Sequence, residues 1–452
     1  MRLYPSSYTV VIPDGDDLLL FNTRTLYFGR LGADLYREVL LLIGALDDGG
    51  DARGISNENA RAAAFLLRQK GFFVDDPFRE RERVAERFER QRGNRGHLGL
   101  TIAPTLDCNF ACSYCYERSE PFTMSSETVE RVAVHVAREL ASGRFRSMHV
   151  TWYGGEPLLP ESFDVVVSLS ERMLSSCGLY DVSYSANIIT NGYLLDRMTA
   201  RRLVDNRVAL AQITLDGPPE LHDRTRTLKN GSGTFGRIMS NIRSARDLLR
   251  FSIRMNVNAG NADAVLALKR VLREEGMLAD AGRTAFYLSP VRSYTASCQG
   301  GECLTDSSFY RLQLELLARG INEDGFTVVE EYPALKESVC TAIGSDSFVI
   351  GPSGELYKCW LDLGRKERSV GALGSDGPEL NRRMARWTEF SPSSSGCRDC
   401  SMLPLCMGGC PELNLRSRDG EENLACCNWK YVLREHLLHI AHCQPSKEGD
   451  VS

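Results

Sequence analysis

No stretch of this 452-residue chain is apolar for long enough to cross a bilayer as a helix. The longest candidate, Val39-Leu40-Leu41-Leu42-Ile43-Gly44-Ala45-Leu46, falls well short of the roughly 20 residues a span needs and reads as a buried helix face. The amino terminus has no basic segment followed by an apolar core, so export is not expected and a cytoplasmic location is. Neither sign of charge dominates: 54 Lys and Arg stand against 59 Asp and Glu, and a net charge of -5 gives no general reason to expect nucleic acid as a partner. Histidine is scarce, and the seven residues are too scattered to suggest a Ser-His-Asp constellation. Cysteine is the exception to this plainness. Fifteen cysteines in a chain expected to stay in a reducing compartment point to metal rather than to disulfides. A chain of this length is expected to fold as two or three domains.

The first cysteine group lies in Asp107-Cys108-Asn109-Phe110-Ala111-Cys112-Ser113-Tyr114-Cys115-Tyr116-Glu117, after an apolar strand-like run. Its C-x3-C-x2-C spacing fits three corners of an iron-sulfur cube and leaves the fourth iron without a protein ligand. An open iron can bind and split a small molecule, whereas a cluster with four protein ligands is usually confined to passing electrons or stiffening a fold. A structural zinc loop would normally pair its cysteines as C-x2-C with a second pair downstream. The triplet, with aromatic Tyr114 just before the last cysteine, resembles the signature of the radical S-adenosylmethionine (SAM) superfamily. That resemblance implies a catalytic cluster on Cys108, Cys112 and Cys115, SAM bound at the open iron, and reductive cleavage to a 5'-deoxyadenosyl radical that takes a hydrogen atom from substrate. The hard chemistry belongs to the cofactor, and the protein positions it and excludes water.

The expected fold class is α/β: a partial (β/α)6 barrel with an amino-terminal winged-helix-like module and a cysteine-rich carboxyl-terminal domain. Residues 1–92 form the first unit. Strand-like runs Tyr8 to Pro13, Leu18 to Phe21 and Leu26 to Phe28 are broken by the turns Asp14-Gly15-Asp16-Asp17 and Asn22-Thr23-Arg24, and helical patterns follow at Ala33 to Leu46 and Glu58 to Lys70. This layout resembles the recognition modules of peptide-modifying enzymes, in which an exposed strand captures an extended peptide; a plain amino-terminal cap is the alternative. The charged run Arg79 to Arg90 reads as a solvated linker helix. From 93 to 295, six strand-like segments alternate with helices: Leu98 to Ile102, Met148 to Trp152, Val182 to Ile189, Val208 to Leu215, Phe251 to Val257 and Thr284 to Ser289. Such alternation argues for a parallel sheet with the reactive site at the carboxyl ends of the strands.

The strand ends carry the remaining motifs. Tyr153-Gly154-Gly155-Glu156-Pro157 follows the second strand; its glycines allow close backbone approach, and Glu156 with the exposed carbonyls can accept hydrogen bonds from an ammonium. It resembles the family segment that holds the SAM amino group. Thr190 and Asn191, then Thr214 and Asp216, are polar strand ends that resemble the segments holding ribose and carboxylate. Arg226 is a candidate partner for a carboxylate, and Asn256 for ribose.

Residues 296–452 hold a second cysteine set: Cys340, Cys359, Cys397-x2-Cys400-x5-Cys406-x3-Cys410 and the pair Cys426-Cys427. The spacing resembles the SPASM extension, with its two auxiliary four-iron, four-sulfur clusters; C-x2-C pairs alone would also allow a zinc ribbon. The resemblance puts Cys340, Cys359 and Cys410 on the inner cluster, completed by Cys298, Cys303 or an open site. It puts Cys397, Cys400 and Cys406 on the outer one with Cys426, four residues before Lys430, or else Cys427. Three clusters and SAM are thus the cofactors that the resemblance implies. The three parts together resemble maturases of ribosomally made peptides. The expected function is side-chain cross-linking in a precursor peptide whose leader lies on the first module, with a flavodoxin or ferredoxin as reductant. The alternatives are an anaerobic sulfatase-maturating enzyme and a non-catalytic iron-sulfur carrier or peptide-binding scaffold. The first generally has an aspartate after the second SPASM cysteine, where this chain has Trp360.

Overall fold

Every second residue of the segment Ser147–Trp152 is buried: Met148, Val150 and Trp152 face one layer while the alternate side chains are half-exposed. That period of two forms a strand, and six such segments assemble into one sheet. In the computed structural model the described residues are 3–47, 58–93, 96–117, 119–280, 282–292, 303–323, 326–392, 396–418 and 426–443. The six strands are β6 (His97–Ile102), β7 (Ser147–Trp152), β8 (Ser183–Thr190), β9 (Val208–Thr214), β10 (Arg250–Val257) and β11 (Thr284–Pro290), numbered after the five strands of the amino-terminal region. They lie side by side in chain order, and every neighbouring pair is parallel. Helices connect them, among them α4 (Ser126–Ala141), α5 (Pro160–Leu179), α6 (Arg197–Asp205), α8 (Phe235–Ala245) and α9 (Val265–Glu274). Helix α4 shows why they dock: Val129, Val132, Val136 and Leu140 recur at spacings of three and four and are all buried.

The sheet is larger than its six sequence-visible strands. Four short strands, β12 (Phe348–Ile350), β13 (Glu355–Tyr357), β14 (Gly371–Gly374) and β15 (Gly377–Leu380), continue it beyond β6, the first parallel to β6 and the rest antiparallel. The sequence reading assigns no strand beyond Ser289, because runs of three or four residues carry too little periodicity to stand out.

Contacts divide the chain into two compact units, one of residues 1–93, 332–340 and 390–452 and one of 94–331 and 341–389. In the first, β2 (Thr9–Asp14), β3 (Asp17–Asn22) and β4 (Phe28–Gly32) form an antiparallel sheet, and β1 (Tyr4–Pro5) pairs with β5 (Phe73–Val74). Leu20, Val39, Ile43, Ala63 and Phe72 belong to a core shared with α1 (Ala33–Asp47) and α2 (Glu58–Gln69). β4 starts later than its apolar run suggests because Leu26 sits in the turn at φ +60°. Asn22 builds that turn: its Oδ1 accepts from the backbone N–H of Arg24 and Thr25, both at 3.0 Å, while its Nδ2 donates to Gly71 O at 2.7 Å. Asn22 is fully buried. Asn22→Ala orphans these groups and is expected to destabilise this unit by about 2–3 kcal/mol, measured as faster amide exchange in 3–47 with the barrel amides unchanged.

The charged helix α3 (Pro77–Arg92) is not solvated all round. Glu80, Val84 and Phe88, spaced by four, form a buried stripe. Glu80 accepts from Ser6 Oγ at 2.7 Å and from Ser7 N at 3.0 Å, and pairs with Arg24 Nε at 2.9 Å. Average composition hides this face; the four-residue spacing reveals it.

Candidate active site

Loops at the carboxyl ends of the six parallel strands surround a pocket of about 1130 Å³, counted with its open mouth. Of the residues singled out from sequence, Cys108, Cys112, Tyr114, Cys115, Gly154, Gly155, Thr190, Asn191, Thr214, Arg226 and Asn256 line it. Pro157, Glu156 and Asp216 are buried behind the wall.

The cysteine loop follows β6 and is held by backbone hydrogen bonds from Ala111 N to Thr227 O (2.9 Å), Ser113 N to Thr225 O (3.2 Å) and Lys229 N to Asn109 O (3.0 Å). Burial pushes the Cys108 thiol up to about 12 and Cys115 up to about 11, and raises Cys112 as well. Cations are therefore needed to hold these sulfurs as thiolates. Among the described residues no group of three or more His, Cys, Asp or Glu side chains stands at the spacing that would hold one metal ion. The donor set suits a cluster instead: three soft thiols around one pocket, each able to take its own iron.

The glycine turn serves this loop directly. Gly154 and Gly155 have φ of +83° and +24°, and a Cβ on Gly155 would fall 2.0 Å from Asp107 O. The Glu156 N–H donates to that same carbonyl at 2.7 Å. The glycines thus let the turn press against the cysteine loop as well as against the pocket. Glu156 itself is fully buried, and its carboxylate accepts from Thr190 Oγ1 (2.6 Å), Asn191 N (2.7 Å) and Leu158 N (3.0 Å). Burial raises its pKa to about 7 against the pull of those donors. Two of these bonds tie it to the end of β8. Asn191 passes the order on: its Nδ2 donates to Asn109 Oδ1 at 2.7 Å and lies 3.9 Å from Cys108 Sγ.

Tyr114, Asp216, Arg226 and Asn256, far apart in sequence, form one network. The Tyr114 hydroxyl donates to Asp216 Oδ2 and accepts from Arg226 Nη1 at 2.7 Å and Asn256 Nδ2 at 3.1 Å. Asn256 N donates to the other Asp216 oxygen at 3.1 Å. Arg226 Nε is buried and has no hydrogen-bond partner among the described residues. Burial raises Asp216 while the Arg226 guanidinium opposes the shift.

Gln212, Arg254 and Arg292 line the pocket without standing out in the sequence, beside Tyr116, Glu117 and Tyr153 of the quoted motifs and Trp360. Glu117 accepts from the Tyr153 hydroxyl and from Gly155 N, and burial raises its pKa. The Tyr116 and Tyr153 hydroxyls hydrogen-bond each other. Trp360 stacks on Tyr153 with centroids 5.0 Å apart, and its Nε1 donates to Thr101 Oγ1 at 3.0 Å. For two of these a signal existed. Gln212 and Arg254 stand two residues before Thr214 and Asn256, on the same strand faces.

Of the second cysteine set, Cys397, Cys400, Cys406, Cys426 and Cys427 line one small pocket with Lys430, whose Nζ lies 3.9 Å from Cys400 Sγ. Cys427 hydrogen-bonds Cys406, which lowers the Cys406 thiol below its ordinary range. Both members of the vicinal pair therefore face this group. Cys410 is raised by burial and secondarily by the charge of Cys340, in the same unit. Cys359 belongs to the other unit. Cys303 is disulfide-bonded, and Cys298 lies outside the described residues.

Residues 102–266 match the family model described as the Radical SAM superfamily. Among curated proteins, the chain is 25% identical over 366 residues to the cysteine-type anaerobic sulfatase-maturating enzyme of Clostridium perfringens (strain 13 / Type A), covering 72% of this chain and 91% of that one. It is 23% identical over 324 residues to the serine-type enzyme of Klebsiella aerogenes, covering 67% and 77%. Among solved structures, anSMEcpe with bound AdoMet and Cp18Cys peptide superposes with a TM-score of 0.58 at 19% identity, over 77% of this chain and 99% of that one. Streptococcus suis SuiB bound to precursor peptide SuiA superposes with a TM-score of 0.52 at 14% identity, over 94% and 98%. Residues 102–266 thus form a radical SAM domain, and the chain is similar in sequence to the sulfatase-maturating enzymes.

Proposed function

We propose, from the radical SAM domain that residues 102–266 form, that this enzyme modifies the side chains of a ribosomally made precursor peptide, with cross-linking as the outcome. Cys108, Cys112 and Cys115 would hold three irons of a four-iron, four-sulfur cluster, and Arg226 with Asn256 and Tyr114 would orient SAM. When bound and reduced, this pair supplies a 5'-deoxyadenosyl radical able to take a hydrogen atom from carbon. The remaining work falls to the chain: the glycine turn seats the cysteine loop, Glu156 fixes Asn191 beside it, and the aromatic wall of Tyr116, Tyr153 and Trp360 keeps water from a reactive carbon. The observation that carries the reading is the convergence of the cysteine loop, the glycine turn and the Tyr114 network on one pocket at the ends of β6 to β10.

Two features favour a precursor peptide. The SuiB complex spans 94% of this chain, whereas the anSMEcpe complex leaves almost a quarter unmatched, with 77% covered. The second is Trp360. A sulfatase-maturating reading, supported by the sequence relatives, expects an aspartate there to act as base; Trp360 is instead an apolar ring stacked on Tyr153. We further propose that the cysteine sets on Cys340, Cys359 and Cys410 and on Cys397, Cys400, Cys406 and Cys426 or Cys427 hold two auxiliary clusters that accept an electron after bond formation, and that a small redox protein supplies the reductant. The amino-terminal module 1–92, the barrel 93–295 and the cysteine-rich remainder are the proposed domains, the first binding the leader.

Co-expression with short peptides encoded beside the gene tests the reading: a product lacking two hydrogens per new bond supports it, and unmodified peptide beside formylglycine in a sulfatase segment contradicts it. Trp360→Ala is expected to slow peptide turnover at least about tenfold while peptide-independent SAM cleavage stays within about twofold, and Trp360→Phe to restore most of the turnover.

A further inference from the structure

We propose that Arg254 anchors a carboxylate of the substrate, so that the peptide segment entering the pocket is acidic at or next to the residue attacked. The inference deepens the peptide reading above and rests on it for the choice of probe.

Register places Arg254 in β10 opposite Thr214 of β9 on one side and Tyr287 of β11 on the other, and it lines the pocket with the cysteine triplet. Its Nε donates to Asn256 Oδ1 at 2.7 Å and its Nη2 to Ser289 Oγ at 2.8 Å, and it contacts the Tyr287 hydroxyl. All three acceptors are neutral. They fix the direction of the guanidinium without neutralising it, and a guanidinium has five N–H donors in a rigid fork.

The other charges of the pocket are already committed. Arg292 pairs with Asp306 at 2.8 Å. Arg226 is tied to Tyr114, beside Asp216. The Asp216 oxygens are taken by the Tyr114 hydroxyl and by Asn256 N, so its field reaches Arg254 without an ion pair. Glu117 accepts from Tyr153 and Gly155. Two guanidiniums therefore share one buried carboxylate, and among the described residues Arg254 has no carboxylate of its own. A partly desolvated guanidinium held by neutral acceptors favours an anion strongly, and a carboxylate matches its fork. If Arg226 serves the carboxylate of SAM, Arg254 is left for the substrate.

The test measures binding of four probes to anaerobically reconstituted, SAM-loaded wild type, Arg254→Gln and Arg254→Lys by titration calorimetry. The probes are an acetylated, amidated alanine heptapeptide with a central Glu, its Gln counterpart, the Gln peptide with a free carboxyl terminus, and glutarate. Wild type should bind the Glu peptide about tenfold more tightly than the Gln peptide. The gap should vanish in Arg254→Gln and survive in part in Arg254→Lys, with SAM affinity unchanged within about threefold in both. A preference for the free-terminus peptide over its amidated form, lost in Arg254→Gln, supports the anchor and assigns the carboxylate to a chain end. Glutarate binding as tightly as the Glu peptide supports the anchor and counts against a peptide substrate. Equal affinities in wild type, no measurable binding of any probe, or a gap that persists in Arg254→Gln overturns the proposal. So does a tenfold loss of SAM affinity in Arg254→Gln, because Arg254 would then belong to the cofactor.

Discussion

Cys108→Ala, Cys112→Ala and Cys115→Ala combined should yield a folded protein with about four fewer irons than wild type and no detectable 5'-deoxyadenosine after reduction. The fold should persist because the loop is anchored by backbone hydrogen bonds, such as Ala111 N to Thr227 O at 2.9 Å, that no cysteine side chain makes. The chemistry should vanish because the thiols are the soft donors lining this pocket. Iron and zinc counting, a far-ultraviolet spectrum and product quantification check it together. Full iron retention in the variant, or stoichiometric zinc in wild type, would remove the assignment.

Gly155→Ala should have nearly as large an effect without touching a ligand. The added methyl would meet Asp107 O at 2.0 Å and the carbonyl carbons of Asp107 and Leu106 at 2.8 Å, all backbone atoms that cannot swing away. The turn must retreat from the cysteine loop and lose the Glu156 N to Asp107 O bond of 2.7 Å. Overpacking of this kind costs about 1–3 kcal/mol, with about 1 kcal/mol more for the positive φ. SAM cleavage should fall at least about 100-fold, because a displacement of an ångström misplaces the reacting groups. Gly143 is the control: its φ is +69° but nothing lies within 4 Å of a Cβ there. Gly143→Ala should cost only the strain, about 1 kcal/mol, and leave cleavage unchanged. Wild-type activity in Gly155→Ala would contradict the close packing of turn on loop.

How much of this was legible in the sequence depended on whether chemistry or register chose the residue. The cysteine spacing and the Gly154-Gly155 turn stand out because iron ligation and a backbone pressed against backbone each admit few residue types. The six strands β6 to β11 were legible because their apolar patterns are long. β12 joins β6 across more than 240 residues of chain, and its three-residue register Phe348↔Leu100 to Ile350↔Ile102 leaves no local trace. Glu156 stands out as a carboxylate beside a glycine turn, but its burial and its three donors, two of them more than 30 residues away, leave no local trace. Arg254, Gln212 and Trp360 are ordinary residue types, and register and stacking alone turn them into pocket wall.

Deuterium transfer from substrate reports most directly on the central claim that this pocket turns SAM cleavage into hydrogen abstraction from a peptide. The reconstituted enzyme is incubated with reductant, SAM and a co-encoded precursor peptide deuterated throughout its carbon skeleton. The account predicts deuterium in 5'-deoxyadenosine, in step with loss of label from a modified peptide. Label-free 5'-deoxyadenosine alongside unchanged peptide, with label transferred instead from a deuterated sulfatase segment, would contradict it.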